Sequence, residues 1–405
     1  MKCRACNTEV TKFFSLGEMP LVNSFLKKDE LKSEERFDLS LGFCKKCYLV
    51  QLIKIVSPKK LFRNYIYLSS NSKMFLEHCE KTAKHLVKKL GLGKKSLVLE
   101  IASNDGSQLQ AFKKIGVKVL GIDPAVNVVE IATRNNIPTI AEFFNYKLAR
   151  TLKTKKKIQA DLVFGANVLA HVPEITDFVK GVKVILKPRG TAVFEFPYLN
   201  GLLEKKFDII YHEHVFYYSA MALKNLFGKA GLEIYDVEKT PMQGGSLRIY
   251  IARKGVFKTK KSVENLIKEE TAAGLKNIDT YHKINTGIVS LKNEIISTLK
   301  DLRRKNKRVA AYSAPAKGNI MLNYFGIKEN YLDFIVDKSK TKQGLYTPGT
   351  HLLVHPLEKI YEKKLHYLLI LCWNISDEIV EMKELEKYRK NGGKFIVPLP
   401  ELKII

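Results

Sequence analysis

The stretch Ser96–Ala125 constrains the fold of this chain more than any other. The apolar run Leu97–Leu99 predicts a short buried strand, and Gln108–Lys114 has the inward-facing apolar positions of a helix. Val117–Ile122 predicts a second strand, which ends at Asp123. Because these elements alternate, they form a parallel βαβ unit, whose loop and second strand end meet in one crevice at the carboxyl edge of the sheet.

The loop before the helix indicates which ligand the crevice suits. Residues Ala102–Gly106 (ASNDG) contain one glycine, which lets the backbone approach a ligand closely. The dinucleotide fingerprint needs three glycines, so this loop argues against a dinucleotide. An acid at the tip of the second strand, Asp123, can accept hydrogen bonds from a ribose diol. The sequence therefore favours a nucleoside ligand, and an ordinary βα turn is the alternative.

Length and composition indicate several globular domains and no membrane segment. The chain has 405 residues, no run of 18 apolar residues, and an N-terminus without the apolar core of a signal peptide, which predicts a cytoplasmic protein. The net charge of +28 could serve nucleic acid binding. The lysine patches are interrupted and lack interleaved aromatic residues, so they favour a solvated surface, or a field for a small diphosphate substrate, over nucleic acid.

Two C-x-x-C pairs lie near the N-terminus: Cys3 with Cys6, and Cys44 with Cys47. Each pair can form a knuckle whose two thiolates face one point, and two knuckles complete a tetrahedral zinc site. Disulfides are disfavoured in a cytoplasmic chain, and four thiolates leave no position open for water. The pairs therefore predict a structural zinc site in a small β-rich module, with four unrelated free cysteines as the alternative.

Polar residues follow the later strands of the predicted sheet. Ala160–Ala166 predicts a strand that leads to Asn167 and then His171, and the strand Thr191–Phe196 contains Glu195 near its end. Asn167 and His171 are therefore expected at the same carboxyl edge as the loop glycine and Asp123. A packing role for His171 is the alternative.

The densest polar constellation is Tyr211–Ser219 (YHEHVFYYS), with seven ionisable or hydroxyl side chains in nine positions. The histidines are two residues apart, so this is not the H-E-x-x-H zinc motif. We expect an extended segment, in which His212 and His214 alternate with Glu213. One histidine could act as a base near neutral pH, oriented by a carboxylate. A polar strand edge is the alternative.

Three further segments carry candidate contacts. The phenols of Tyr65 and Tyr67 lie either in a turn before a helix or in a lip over the crevice. The segment Q-G-G-S-L-R ends at Arg248, which could hold a phosphate unless the segment is a hairpin turn. In a second α/β unit, Lys317 follows a loop of small residues at a helix N-terminus and could bind an anion.

These motifs, taken in order, resemble the sugar-nucleotide C-methyltransferases. E-I-A-S-N-D-G with Asp123 is similar to the first motif of class I S-adenosylmethionine-dependent methyltransferases, and the cysteine pairs resemble the family's zinc domain. Y-H-E-H-V-x-Y-x-S, Q-G-G-S-L-R, S-A-P-A-K-G-N and T-P-G-T resemble its active-site and C-terminal segments. The resemblance implies an α/β fold: a class I methyltransferase Rossmann-like domain, a small N-terminal zinc-binding β-rich module and a C-terminal Rossmann-like α/β domain. We expect the zinc-binding module over residues 1–70 and the methyltransferase domain over residues 71–255. A helical connector is expected over residues 256–305 and the C-terminal α/β domain over residues 306–405.

The resemblance also implies roles for individual residues. His214 would be the general base that forms an enolate beside a ketone, and the residues expected around the sugar are Tyr211, Glu213, His171 and Tyr67. The residues expected to bind S-adenosylmethionine are Glu100, Ala102, Asn104, Gly106, Asp123, Pro124 and Asn167. The residues expected to bind the nucleotide-linked keto-sugar are Tyr65, Ser246, Arg248, Ser313, Lys317 and Asn319. The expected metal is Zn²⁺ on Cys3, Cys6, Cys44 and Cys47.

Methyl transfer to carbon 3 of a 4-keto-deoxysugar is the reaction that this resemblance implies, in a monomer or small homo-oligomer without nucleic acid or membrane partners. Two alternatives stay open. One is a zinc-knuckle nucleic-acid methyltransferase, although no N-P-P-Y-type motif is found. The other is a non-enzymatic zinc-dependent scaffold that uses its crevices for binding only.

Overall fold

A computed structural model describes residues 1–62, 65, 68–362 and 364–405. Within these residues the strands form three sheets, of four, seven and six strands, and helices cover the two larger ones. The predicted α/β class is confirmed. Among the described residues, no helix is both long enough and apolar enough to span a bilayer.

The N-terminal sheet is antiparallel and receives its fourth strand from much later in the chain. The elements of this part are β1 (Thr11–Pro20), β2 (Arg36–Phe43), β3 (Val50–Leu52), α1 (Pro58–Phe62) and α2 (Lys73–Leu90). In β2 every residue from Leu39 to Phe43 is buried, so both faces of this end of the strand are covered. The fourth strand is β9 (Phe216–Tyr217), which pairs with β3.

The central sheet has the order β10-β11-β8-β7-β4-β5-β6. Its elements are β4 (Leu97–Ile101), α3 (Ser107–Lys114), β5 (Lys118–Ile122), α4 (Val126–Arg134), β6 (Thr139–Ile140), α5 (Tyr146–Thr154), β7 (Ala160–Ala166), α6 (Ile175–Ile185), β8 (Leu186–Pro197), α7 (Ala220–Lys229), β10 (Leu232–Thr240) and β11 (Ser246–Arg253). Strands β8, β7, β4, β5 and β6 are parallel, and β11 is antiparallel to both of its neighbours. The carboxyl ends of β4, β5 and β7 therefore lie side by side.

The C-terminal part forms the third sheet, in the order β14-β13-β12-β15-β16-β17. Its elements are α8 (Lys261–Ala272), α9 (Ile278–Arg304), β12 (Val309–Tyr312), α10 (Ala316–Phe325), β13 (Ile335–Val336), β14 (Val354–His355), β15 (Tyr367–Ile370), α11 (Ser376–Val380), α12 (Glu386–Lys390), β16 (Lys394–Val397) and β17 (Lys403–Ile404). Short 3₁₀ helices occur at Lys28–Ser33, Ser69–Asn71, Leu169–His171, Leu199–Leu202, Phe207–Ile209, Met242–Gly244, Leu357–Tyr361, Trp373–Ile375 and Lys383–Leu385. All strands of this sheet are parallel except β17.

The strand predicted over Tyr331–Asp337 is wrong in extent, because only Ile335–Val336 form it. Tyr331 and Leu332 donate backbone hydrogen bonds back to Lys328, which closes a turn over the first residues of the predicted strand.

The N-terminal sheet shares a hydrophobic core with the C-terminal part through α9. Tyr281, near the start of this helix, packs against Phe13 and Phe43 with ring centroids 5.1 and 4.8 Å apart. Further along α9, the Lys292 ammonium donates to the carbonyl oxygen of Tyr324 in α10. The two ends of the chain are therefore packed together beside the central sheet.

Candidate active site

The loop after β4 has an unusual backbone that opens the carboxyl edge of the central sheet. Ala102, Asn104 and Gly106 have φ angles of 59°, 49° and 81°, in the left-handed region. A Cβ added at Gly106 would lie 3.0 Å from the side chain of Ile137, so only glycine fits without displacement. The carboxylate of Asp123 accepts hydrogen bonds from the backbone N–H groups of Asn104 and Ala125, both at 2.9 Å. Loop and second strand end are thus held together.

The other predicted cofactor residues lie at this edge too. Glu100 is the fourth residue of β4, Pro124 follows Asp123, and Asn167 follows β7 with a φ angle of 57°. The structure therefore brings together the seven residues predicted to bind the cofactor, since they all lie at or beside the adjacent ends of β4, β5 and β7. Their roles as ligands stay a prediction.

A segment that we call the strap, residues 65 and 68–71, crosses this edge. The backbone N–H and carbonyl of Tyr65 bond to the side-chain amide of Asn127, at 3.2 and 2.8 Å. Ser69 and Ser70 donate backbone hydrogen bonds to the side chains of Asn104 and Asp105, at 3.0 and 2.8 Å. These contacts are those of a lip over the crevice. Tyr67 lies outside the described residues.

The environment of the Glu100 carboxyl group shows whether this crevice suits a cation. The Oε2 atom of Glu100 is buried and has no hydrogen-bond partner among the described residues. Burial and the nearby charges of Asp123 and Asp105 raise the pKa of Glu100 well above its usual range. A buried carboxylate without a partner is costly unless a cation or a donor reaches it. The ammonium group of S-adenosylmethionine supplies both, so these residues fit the expected cofactor.

This environment makes cofactor affinity depend on pH. Because its pKa is raised, Glu100 holds a proton in a range where an ordinary glutamate is ionised, and a bound cation favours the ionised form. We expect the affinity for S-adenosylmethionine to rise with pH until Glu100 is ionised, by up to about tenfold per pH unit. Isothermal titration calorimetry at a series of pH values measures this. Glu100→Gln should flatten the dependence and Glu80→Gln, at an exposed position on α2, should not; an unchanged slope in Glu100→Gln contradicts the expectation.

The polar motif Tyr211–Ser219 begins with a turn, so the predicted extended segment is wrong for its first residues. The backbone N–H of His214 donates to the carbonyl of Tyr211 at 2.9 Å, which folds Tyr211–His214 back on itself. As a result Tyr211 and His214 lie on the same side, with ring centroids 4.0 Å apart. The extended part begins only afterwards, at β9.

His214 is buried and its two ring nitrogens have different partners. Nδ1 lies 2.8 Å from the carbonyl oxygen of Ile209, so it carries the proton, and Nε2 lies 2.8 Å from the Tyr211 hydroxyl, whose hydrogen bond it accepts. Burial lowers the pKa of His214 well below its usual range, and His171, when protonated, and Lys317 act in the same direction. His214 is therefore neutral at pH 7, and its Nε2 is an acceptor that holds the Tyr211 hydroxyl in this structure.

His171 lies beside this base. The backbone N–H of Val215 donates to the carbonyl of Ala170 at 2.7 Å and holds the two segments together. The rings of His171 and His214 meet edge to face with centroids 4.9 Å apart. Burial lowers the pKa of His171 to about 4, so this ring is also neutral.

Glu213 points to two other parts of the chain. Asn23, just after β1, donates its side-chain amide to Oε1 at 2.5 Å, and the Tyr65 hydroxyl of the strap donates to Oε2 at 3.3 Å. Burial raises the pKa of Glu213 to about 7, although both hydrogen bonds act in the opposite direction. Tyr65 is thus brought to the motif, and Asn23 is a contact that the sequence analysis did not identify.

The C-terminal part contributes Lys317, whose charge acts on the same histidine. Lys317 is half-buried near the start of α10, and burial lowers its pKa while the charge of Asp208 opposes this. Asp208 is buried, accepts a hydrogen bond from the Trp373 indole at 2.6 Å, and has an Oδ1 atom without a partner among the described residues. Neither Asp208 nor Trp373 was predicted; the signal for Asp208 was an acid inside the apolar run F-D-I-I.

Ser246 and Arg248 lie on β11 and are engaged within the fold. The Ser246 hydroxyl donates to the carbonyl of Met242 at 3.0 Å. The Arg248 guanidinium donates to Glu195 at 2.7 and 2.9 Å and also to Thr82 of α2. Burial alone would raise the pKa of Glu195, but the hydrogen bond from His78 and the charge of Arg248 lower it. The structure therefore places Arg248 in a buried ion pair, and its predicted phosphate contact stays a prediction.

Ser313 and Asn319 lie on either side of Lys317. The Ser313 hydroxyl donates to Asp337 at 3.2 Å, at the carboxyl ends of β12 and β13. The Asn319 amide donates to the carbonyl of Val22 at 2.8 Å, one residue before Asn23. The N-terminal module, the central sheet and the C-terminal part therefore all reach the surroundings of His214.

The four predicted zinc ligands form one cluster. The sulfur atoms of Cys3, Cys6, Cys44 and Cys47 all lie within 4.8 Å of one another, with Cys3–Cys47 at 3.6 Å and Cys6–Cys44 at 3.4 Å. A tetrahedral zinc ion with bonds of about 2.3 Å places its sulfur ligands about 3.8 Å apart. The donor set and its spacing therefore fit a closed structural zinc site. Cys79 is buried elsewhere and Cys372 is half-buried, as isolated thiols.

Comparison with known proteins agrees with this arrangement. Three family models match successive parts of the chain: a zinc binding domain over residues 3–62, a methyltransferase domain over 75–237, and a C-methyltransferase C-terminal domain over 241–400. The chain is 31% identical to the C-methyltransferase NovU of Streptomyces niveus over 408 residues, which cover 100% of this chain and 96% of that protein. The chain belongs to the C-methyltransferase family.

Solved structures with related folds share less with this C-methyltransferase. The PH0226 protein of Pyrococcus horikoshii OT3 is 20% identical, covers 50% of this chain and 100% of its own, and gives a TM-score of 0.38. Magnesium protoporphyrin IX methyltransferase of Synechocystis PCC 6803, solved with bound SAH, is 16% identical, covers 44% of this chain and 83% of its own, and gives a TM-score of 0.35.

Membership of the C-methyltransferase family establishes the general activity and both cofactors. The chain is an S-adenosylmethionine-dependent C-methyltransferase with a zinc-binding module. The four-cysteine cluster lies within the matched zinc binding domain, and S-adenosylmethionine belongs to the class I methyltransferase domain.

Proposed function

We propose that this C-methyltransferase transfers a methyl group to carbon 3 of a nucleoside-diphosphate-linked 4-keto-deoxysugar, with His214 as the base. The observation that carries the proposal is the neutral, buried imidazole of His214, whose Nδ1–H is fixed by the Ile209 carbonyl and whose Nε2 is an acceptor. S-adenosylmethionine, when bound, supplies an electrophilic methyl group on a sulfonium sulfur.

A sugar carbon needs activation before it can take a methyl group. A ketone at carbon 4 makes the hydrogen on carbon 3 acidic, so a neutral imidazole can remove this proton and leave an enolate. The enolate oxygen needs donors, and the candidates among the described groups are the Tyr211 hydroxyl, which bonds to His214 Nε2, and the Lys317 ammonium, whose charge acts on His214. The +28 net charge and the predicted anion contacts on α10 support a diphosphate-bearing substrate. The proposed location is the cytoplasm, where reduced thiols remain available to zinc.

The test is a methyl transfer assay with defined sugar nucleotides. The protein is incubated with S-adenosylmethionine carrying a ¹³C-labelled methyl group and with 4-keto and non-keto sugars on thymidine, cytidine or guanosine diphosphate. We expect label on carbon 3 of a 4-keto substrate, located by NMR, and none on a non-keto sugar. Label on another carbon, or on nucleic acid added to the same assay, would overturn the proposal.

A substitution of Tyr211 distinguishes two ways of removing the carbon 3 proton: directly by His214, or through the Tyr211 hydroxyl that bonds to His214 Nε2. If the phenol only donates to the enolate oxygen, Tyr211→Phe removes one donor and lowers kcat by about 10²- to 10³-fold. We expect this loss together with continued exchange of the carbon 3 hydrogen for deuterium, because His214 remains. Deuterium exchange is followed by NMR without S-adenosylmethionine, and loss of exchange in Tyr211→Phe would show that the phenol itself carries the proton.

A further inference from the structure

The catalytic segment is held by the zinc module from several directions. The carbonyl of Phe37 in β2 lies 3.1 Å from His212 Nε2, and the backbone N–H of Leu52 donates to the carbonyl of Val215 at 2.8 Å. The next residues form β9, which is the fourth strand of the module's own sheet. The segment that carries His214 is therefore also part of the N-terminal sheet.

One side chain of the module goes further and reaches Glu213 itself. Asn23 lies three residues after the end of β1, and its amide donates to Oε1 of Glu213 at 2.5 Å. Asn23 lies in a turn that is held on both sides. The backbone N–H of Ser24 donates to the carbonyl of Leu21 at 2.9 Å, and the carbonyl of Val22 accepts from the Asn319 amide. The amide of Asn23 is thus aimed at Glu213 by contacts that involve no part of Asn23's own side chain.

The charge of Glu213 depends on this contact. Its side chain is 5% exposed, and among the described residues it forms no ion pair. The groups that face it are the Asn23 amide and the Tyr65 hydroxyl, while its neighbours His212 and His214 are directed to Phe37 and to Tyr211. A buried carboxylate that accepts two hydrogen bonds stays charged more readily than one that accepts none.

We propose that Asn23 is a positioning residue for methyl transfer: its amide fixes the orientation and the charge of Glu213 beside the base, so that the zinc module acts on turnover through this contact. The inference rests on the proposed function, because Glu213 matters for turnover only if the His214 surroundings form the site. Asn23 itself does not need to touch the substrate.

Two substitutions test the amide. Asn23→Leu keeps the size of the side chain and removes the donor, so the pKa of Glu213 rises and the pH midpoint of kcat/KM should move upward by about one unit. In Asn23→Asp, two carboxyls share one proton, and this proton can replace the lost donor. We expect Asn23→Asp to be active at low pH and to lose activity as the shared proton leaves. A role in packing alone predicts neither pH signature.

The titration of Glu213 can also be observed without turnover. In protein labelled with ¹³C at the glutamate carboxyl carbon, the Glu213 signal is assigned by its absence in Glu213→Gln, and its midpoint should rise in Asn23→Leu. Tyr65→Phe removes the longer hydrogen bond, so the shift should be in the same direction and smaller. Ser24→Ala, at an exposed position of the same turn, is the control and should match the wild type.

The outcomes separate this inference from the proposed function. An unchanged Glu213 midpoint in Asn23→Leu, in protein that retains its zinc and its S-adenosylmethionine affinity, would overturn the role of Asn23. If no keto-sugar is methylated by the wild type, the proposed function fails, whereas the carboxyl titration still decides whether Asn23 controls Glu213. If Asn23→Leu loses zinc or unfolds, Asn23→Asp decides the point, since it keeps the size of the side chain and a hydrogen bond to Glu213 at low pH; a pH profile equal to that of the wild type would then overturn the role of Asn23.

Discussion

Replacing His214 with glutamine is expected to lower kcat by about 10²- to 10⁴-fold, the range that a positioned general base contributes. Glutamine keeps much of the side-chain volume and an amide that can donate toward Ile209, but it has no basic nitrogen. The pKa of His214 is lowered by burial, so the wild-type imidazole is already the free base at neutral pH and its loss should not be rescued by raising the pH. Single-turnover methyl transfer from labelled S-adenosylmethionine measures the effect.

His212→Gln is the matched control for this prediction. His212 lies two residues away in the same motif and is equally buried, but its Nε2 is directed to the carbonyl of Phe37. We expect His212→Gln to retain most of the turnover. Calorimetry should show that His214→Gln binds both ligands as the wild type does. Full turnover in His214→Gln with normal binding would refute the assignment of the base.

Loss of the zinc ion is expected to abolish the folded N-terminal module and, with it, methyl transfer. Structural zinc sites contribute about 10–16 kcal/mol to the folding of small zinc domains, which is more than such a module gains from its core. In Cys44→Ser we expect less than one zinc per chain by mass spectrometry and a clear fall in Tm. Because β9 pairs with β3 and the carbonyl of Cys47 accepts from Asn225 in α7, activity should fall together with the metal content.

Cys79→Ala is the control, since Cys79 is a buried thiol outside the cluster. It should retain zinc and most of the activity, at a small cost in Tm. Treatment of the wild type with a strong chelator should reproduce the phenotype of Cys44→Ser, and added Zn²⁺ should reverse it. Full activity in protein shown to be free of metal would contradict the structural role.

The regular elements near the crevice could be predicted because buried parallel strands are continuous apolar runs. Ala160–Ala166 forms the strand with the predicted bounds, and the predicted strands around it differ by one or two residues at most of their ends. β1 was not predicted, because bulges between Lys12 and Phe14 and between Ser15 and Glu18 break its alternation of buried and exposed residues. A pattern search with a period of two residues does not detect such a strand.

The composition of the site was easier to predict than its geometry. The density of polar groups in Tyr211–Ser219 indicated chemistry, but the turn at its start contains neither glycine nor proline and arises from one backbone hydrogen bond. The contact between Asn23 and Glu213 joins residues 190 positions apart in the sequence. Local patterns carry no information on such a pair, because the approach depends on how three separate parts of the chain pack.

The long helix α9 has a consequence for how this enzyme can open. It has 27 residues, about 40 Å in length, and its buried positions recur every three or four residues from Tyr281 to Leu302. Because one end packs on Phe13 and Phe43 and the other leads into β12, the first and last portions of the polypeptide form one packed body. The pairing of β9 with β3 ties this body to the middle of the chain, so opening for substrate exchange has to leave that strand pair in place. A metal bound within the first 50 residues then stiffens a body built mostly from the last third.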